Sequence, residues 1–289
     1  MAAKRNRVEV IAHRGASAYA PENTMAAFRS ATEMGADWVE LDCTLSKDGI
    51  VVVIHDDTVE RTTGVSGRVR EMTRDELRQL DAGSWMDREY AGECIPTLDD
   101  VLMFVRKTHT GVYIEVKDYG DNARLAGELL ELAGDQPVMD GDLIGEAMRR
   151  VEASGTRNLD LTRSVIRQVR KHALERRAVI QSFSPVVCLI AKYEAPRIRV
   201  EFLGSPDTPD AWEAFLRGGF LLDVDGFNPR HTALTPGRLA VLHAGGKSVA
   251  VWTVDEEEDM RRYATWGVDR IITNRPDVCL AILEELGKG

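Results

Sequence analysis

The sequence predicts an α/β protein, and within that class a closed (β/α)8 barrel of the TIM type. Three observations carry the expectation. Short apolar runs of strand length alternate with amphipathic helical segments, which implies βαβ crossovers and a parallel sheet. Glycines stand at helix-to-strand junctions, where the chain must leave the helix in a left-handed conformation. No glycine-rich dinucleotide loop follows the first strand, so an open doubly wound sheet is disfavoured. A chain of 289 residues is also the ordinary size of such a barrel.

In chain order, strands are expected near residues 8–12, 38–45, 51–55, 112–117, 179–183, 199–203, 224–228, 248–254 and 270–273. Eight of these nine close the barrel, with 38–45 and 51–55 joined through Lys47-Asp48-Gly49 rather than through a helix. The first helix spans Met25 to Met34, with Asn23 or Thr24 as its cap and Gly35 as its end. Gly237 to Ala244 forms a helix that stops at Gly245-Gly246. Glu256 to Trp266 forms another, which Asp255 and Glu258 open as a capping box and Gly267 ends. Two segments exceed the simple repeat. Residues 57–95, an insertion after the second strand region, carry a short helix with Thr73 and Glu76 as a capping box, and the next helix runs from Thr97 to His109. Residues 118–178 hold two or more helices. Neither segment has linker composition, so both decorate one domain covering 1–289.

Composition narrows the function. Hydrophobic residues are 44% and charged residues 29%, as in an ordinary globular protein. A net charge of −10 argues against nucleic acid or an anionic membrane as partner, while leaving room for a local basic pocket. Cys43, Cys94, Cys188 and Cys279 lie far apart and form neither a disulfide framework nor a metal-ligand spacing. The basic stretch Met1 to Arg7 is followed by Val8 to Ala12, too short and interrupted for a signal-peptide core. No run approaches the ~20 apolar residues of a membrane span. The expected location is cytoplasmic.

In a parallel barrel, catalytic side chains gather at the carboxyl ends of strands. Three stretches place chemistry there. His13-Arg14-Gly15 ends the first strand, with Pro21-Glu22-Asn23-Thr24 just after it. Period-two alternation puts Glu40 and Asp42 on one face of the next strand and Val39, Leu41 and Cys43 on the other; His55-Asp56 follows. Glu115 and Lys117 then share a face opposite Val112, Ile114 and Val116. Three carboxylates aimed into one mouth repel unless a hard cation sits between them, and all-oxygen ligands suit Mg2+ or Ca2+ rather than zinc. Each element alone has an ordinary structural explanation, such as a solvated strand face or a surface ion pair. Their coincidence at one end of the strands does not.

The run HRGASAYAPENT, then ELDCTLSKDGIVVVIHDDTVERTTGVSG and IEVK, followed by QSF, VDGFN, VWTVD and ITNRP, resembles the glycerophosphodiester phosphodiesterase family. The match spans nearly the whole chain. It implies a (β/α)8 barrel with a small insertion after the second His motif, where 57–95 sit. It also implies that Glu40, Asp42 and Glu115 bind the divalent metal, that His13 and His55 are the catalytic pair, and that Arg14 and Lys117 hold the phosphate. Trp252 matches an aromatic position near the pocket, and Glu22, Asn23 and Thr24 look more like shapers of the first loop than chemists. Cys43 departs from an expected aliphatic residue, and 118–178 departs from the usual spacing. His109, His172, His231 and His243 match no motif and read as surface or helix-end residues. The implied reaction is metal-assisted hydrolysis of a small glycerophosphodiester to glycerol 3-phosphate and an alcohol, with one of His13 and His55 as base and the other as acid; which plays which role stays open, with the reading leaning to His13 as base. The nucleophile, water or a neighbouring glycerol hydroxyl, stays open. The rival functions are a lysophospholipase D acting on lipids and a non-catalytic phosphate- or metal-binding barrel.

Overall fold

The computed structural model describes residues 7–117, 119, 120 and 122–289. The basic N-terminal stretch before Arg7 lies outside the described residues. Among those described, nine strands follow one another: β1 (Glu9–Ala12), β2 (Trp38–Leu45), β3 (Val51–Val53), β4 (Gly111–Val116), β5 (Ala178–Ser182), β6 (Arg199–Gly204), β7 (Gly226–Pro229), β8 (Ser248–Val251) and β9 (Arg270–Thr273). Parallel neighbours run β1-β9-β8-β7-β6-β5-β4-β2, and β1 pairs back onto β2, closing eight strands into a (β/α)8 barrel. The strand outside the ring is β3, which pairs antiparallel to β2 with Cys43 opposite Val53. The reason is local. Ser46 N–H donates to the Ile50 carbonyl at 2.9 Å across the turn, and so short a link permits only antiparallel pairing.

Alternation sorts the strand side chains as the pattern requires. Val39, Leu41, Cys43, Val112, Ile114 and Val116 are buried between barrel and helices. Inside the barrel, Ile11, Tyr113, Val179, Ala250 and Ile272 pack together. The insertion carries its own small core, in which Val59, Val69, Leu77 and Ala82 meet Val52, Ile54 and Ile95. Residues beyond 118 supply three helices, Ala123–Ala133, Gly141–Ser154 and Arg157–Lys171. The first two bury a separate apolar cluster against Pro185–Glu194.

Thr24, not Asn23, caps the first helix, its Oγ1 accepting from Ala27 N–H, and the Thr73–Glu76 capping box is present. The capping box expected at Asp255 and Glu258 is not. The helix Glu257–Trp266 starts from Glu256 with no side-chain cap. Asp255 is turned the other way, accepting from Thr273 Oγ1 at 3.0 Å and from Asn274 N–H at 2.8 Å. A carboxylate at a strand end competes for two jobs, and here the loop after β9 takes it. His172 is a helix-end residue, as expected, yet it is buried against Asp99 at 2.8 Å. No helix among the described residues is long and apolar enough to cross a membrane.

Candidate active site

Register builds the acidic cluster. In the β2–β4 pair Asp42 stands beside Glu115, and Glu40 lies one pleat away on the same face. One oxygen from each of Glu40, Asp42 and Glu115 lies within 4.8 Å of the other two. Glu40 and Asp42 are each only 1% exposed. Burial, with the Asp42 charge added, pushes Glu40 up to about 8 and Glu115 up to about 7. Burial would also raise Asp42, but Lys117 and Arg14 outweigh it and hold that carboxyl well below the usual range. Without a further cation the cluster thus favours protons on Glu40 and Glu115, and its three hard oxygen donors fit a divalent ion in their place.

Two cations border it. Lys117 Nζ bridges Asp42 Oδ1 at 2.8 Å and Glu115 Oε1 at 2.7 Å. Arg14 N–H donates to Glu40 Oε2 at 3.0 Å, and its Nη1 pairs with Glu22 at 2.8 Å. Arg14 Nε lies 3.2 Å from Asp42 Oδ2 but is not aimed at it, and remains a buried donor without a hydrogen-bond acceptor. The backbone accommodates this crowding through positive φ at Arg14 (56°) and Gly15 (84°). A Cβ on Gly15 would meet Ala27 at 2.6 Å, so only glycine fits there.

The two histidines are mounted differently. His13 Nδ1 meets Asn274 Oδ1 at 2.7 Å, and Asn274 Nδ2 donates to Asp255 at 2.6 Å, which fixes the amide and makes His13 Nδ1 the donor. Burial and the neighbouring Arg14 lower its pKa. His55 Nδ1 instead meets a carboxylate, Asp56 Oδ1, at 2.6 Å. Burial would raise Asp56, but hydrogen bonds from Arg61 and His55 bring it to about 2. In both rings Nε2 is the nitrogen left for a ligand.

A second set of residues holds these in place, and sequence reasoning missed most of it. Gln181 donates to Glu40 at 3.2 Å, Asn228 donates to Gln181 at 2.9 Å, and Trp252 Nε1 donates to the Asn228 carbonyl at 2.7 Å. Asn23 Nδ2 donates to Asp42 at 2.8 Å. Arg61, from the insertion, reaches Asp56 at 2.6 Å and both oxygens of Glu22 at 2.8 Å. Glu22 and Asn23 therefore orient site side chains in addition to shaping the loop. The motifs QSF, VDGFN and ITNRP were the available signal, though nothing in their spacing reveals a partner.

All the expected side chains except Asp42 line one cavity of about 300 Å3: His13, Arg14, Glu40, His55, Glu115, Lys117 and Trp252. Asp42 lies beneath it, its oxygens already engaged by Lys117 and Asn23. Gln181, Phe183, Leu203, Ser205, Arg230, Thr253 and Ile272 complete the wall. An acidic cluster, two flanking cations and two imidazoles whose Nε2 atoms have no hydrogen bond among the described residues thus meet at one cavity.

The chain is 33% identical over 278 residues to a glycerophosphodiester phosphodiesterase of Caldanaerobacter subterraneus subsp. tengcongensis, covering 96% of this chain and 98% of that one. A phosphodiesterase of Oleispira antarctica, solved with its product sn-glycerol-3-phosphate, superposes with a TM-score of 0.76 at 26% identity over 96% of each chain. A glycerophosphodiester phosphodiesterase of Agrobacterium tumefaciens gives a TM-score of 0.68 at 30% identity, covering 95% of this chain and 99% of that one. The model of the glycerophosphoryl diester phosphodiesterase family matches residues 13–134 and 137–278. By sequence and by fold, the chain belongs to the glycerophosphoryl diester phosphodiesterase family.

Proposed function

We propose that this enzyme hydrolyses small glycerophosphodiesters to glycerol 3-phosphate and a free alcohol, with a divalent cation, Mg2+ or Ca2+, held by Glu40, Asp42 and Glu115. The observation that carries the reading is the convergence of three buried carboxylate oxygens beside two imidazoles whose Nδ1 atoms are already taken. The cation, when bound, supplies positive charge to a non-bridging phosphate oxygen. Arg14 and Lys117, both lining the cavity, add to that charge and orient the phosphate.

His13, kept neutral by burial and with its proton on Nδ1, offers Nε2 as the base that accepts a proton from the nucleophile. His55, oriented by Asp56, offers Nε2–H as the acid that protonates the departing alkoxide. The cavity of about 300 Å3 has room for the glycerol and phosphate of a small diester. The test is release of glycerol 3-phosphate from glycerophosphocholine and glycerophosphoethanolamine, beside alcohol release from lysophosphatidylcholine. The reading expects chelator-sensitive release from the first two. Release that chelation leaves untouched, or preference for the lysolipid, would overturn it.

A further inference from the structure

We infer that the rim of the cavity favours a leaving alcohol bearing an anionic group, such as a carboxylate, and that Arg230 is the residue that reads it. The inference rests on the phosphodiesterase reading and adds the class of substrate to it.

The cavity wall is graded by depth. Ile272 and Leu203 are 1% and 4% exposed, whereas Phe183 is 43% exposed and the Arg230 side chain 48%. The phosphate belongs at the buried ionic floor, so the group projecting outward passes Phe183 and Arg230. Among the described residues lining the cavity, the carboxylates are Glu40 and Glu115, both at the floor; the outer wall of Phe183, Ser205, Arg230, Trp252 and Thr253 carries a single charge, and it is positive.

Arg230 is fixed by its backbone. Its N–H donates to the Gly204 carbonyl at 2.8 Å, and it bridges in parallel to Trp252. The guanidinium lies over the Trp252 ring at 5.6 Å from the centroid. Its anionic neighbour is Asp207 at 3.8 Å, a loose pair with both side chains about half exposed, which leaves most of its five donors open to solvent.

The same placement disfavours a quaternary ammonium. Such a group is held by open aromatic faces, yet Trp252 already has the Arg230 guanidinium over its ring and the Phe183 ring perpendicular to it at 5.6 Å. A cationic headgroup would meet a like charge at this rim. A carboxylate would meet a guanidinium able to hold it through two parallel hydrogen bonds.

Glycerophosphoserine and glycerophosphoethanolamine differ by one carboxylate and form a matched pair. With Mg2+ or Ca2+ added back to the chelated enzyme, kcat/KM should favour glycerophosphoserine by about tenfold. That ratio should collapse toward one in Arg230→Gln and persist in Arg230→Lys, which keeps the charge. Glycerophosphocholine should be the poorest substrate of the wild-type enzyme. A wild-type ratio near one, or a ratio that survives Arg230→Gln, overturns the inference while leaving the phosphodiesterase reading intact. Failure of the wild-type enzyme to cleave any of the three would overturn both, and differs because it appears before any substitution is made.

Discussion

The barrel encloses two buried ionic clusters, one toward each end, and they are built on opposite principles. At the amino-terminal end, Glu201, 0% exposed, takes hydrogen bonds from Arg199 at 3.1 Å, Arg270 at 3.3 Å and Ser248 at 3.1 Å. Arg270 also pairs with Glu9 at 2.7 Å. Two carboxylates face two guanidiniums, so charge balances, although Glu201 Oε2 accepts no hydrogen bond among the described residues. At the carboxyl-terminal end, Glu40, Asp42, Glu115 and Glu22 face Arg14 and Lys117 with help from Arg61, and the surplus acid borders a cavity. A balanced buried cluster maintains a fold, whereas an unbalanced one beside open space is arranged for a further charge. Substitutions should therefore separate the two ends by what they damage.

The largest effect belongs to the unbalanced end. His13→Ala or His55→Ala should each lose about 10²–10⁴ in turnover while calorimetric cation binding persists. Asp42→Asn should lose cation affinity and turnover together. Near-normal turnover in both histidine variants would refute the acid–base assignment. The balanced end should behave in reverse. Arg270→Met leaves buried Glu201 with Arg199 as its remaining guanidinium and should cost about 3 kcal/mol of stability by denaturant unfolding, with kcat at low temperature retained. A loss of kcat without loss of stability would break the contrast.

Arg61 tests whether the insertion belongs to the site. It ties Asp56 to Glu22, and through them His55 to Arg14. Arg61→Ala should lower kcat by about tenfold or more with a shifted pH profile, because both the acid and the phosphate clamp loosen. Arg61→Lys, lacking the bidentate fork, should recover only part of it. An unchanged pH profile would reduce Arg61 to a surface contact.

The smallest effect concerns stability against pH. Folding raises Glu40 and Glu115 from the ordinary 4.5 to about 8 and about 7, so it favours their neutral forms. Their contribution is full below about pH 4.5 and is lost as pH rises through those values. The lowered pKa of His13 acts below its ordinary 6.5, outside the upper part of this window. Chelated protein should then lose thermal stability between about pH 6.5 and about pH 8.5, more steeply than its Glu40→Gln variant. Added cation should raise Tm more at the upper pH. Parallel curves for the two proteins would show that Glu40 does not titrate there.

These contrasts also mark what the sequence makes legible. Alternation in Trp38 to Leu45 and Gly111 to Val116 is enough to place Glu40, Asp42 and Glu115 inside the barrel, because a strand offers only two faces. The identity of the strand outside the ring was legible only from the turn at Ser46 to Ile50, which forces antiparallel pairing. The supports were not legible. Asn274 reaches His13 only because β9 closes against β1, and Gln181 reaches Glu40 only because β5 lies two places from β2. Asp255 was misassigned for the same reason: a helix-start carboxylate and a loop-holding carboxylate share one local pattern, and tertiary closure decides between them.

The most direct measurement of the central claim titrates Mg2+ or Ca2+ into chelated protein, reading bound cation and glycerol 3-phosphate release in the same samples. The account predicts one cation per chain, with occupancy and release rising together in the wild type and occupancy alone rising in His55→Ala. Full release in the presence of chelator, with no cation bound, would contradict it.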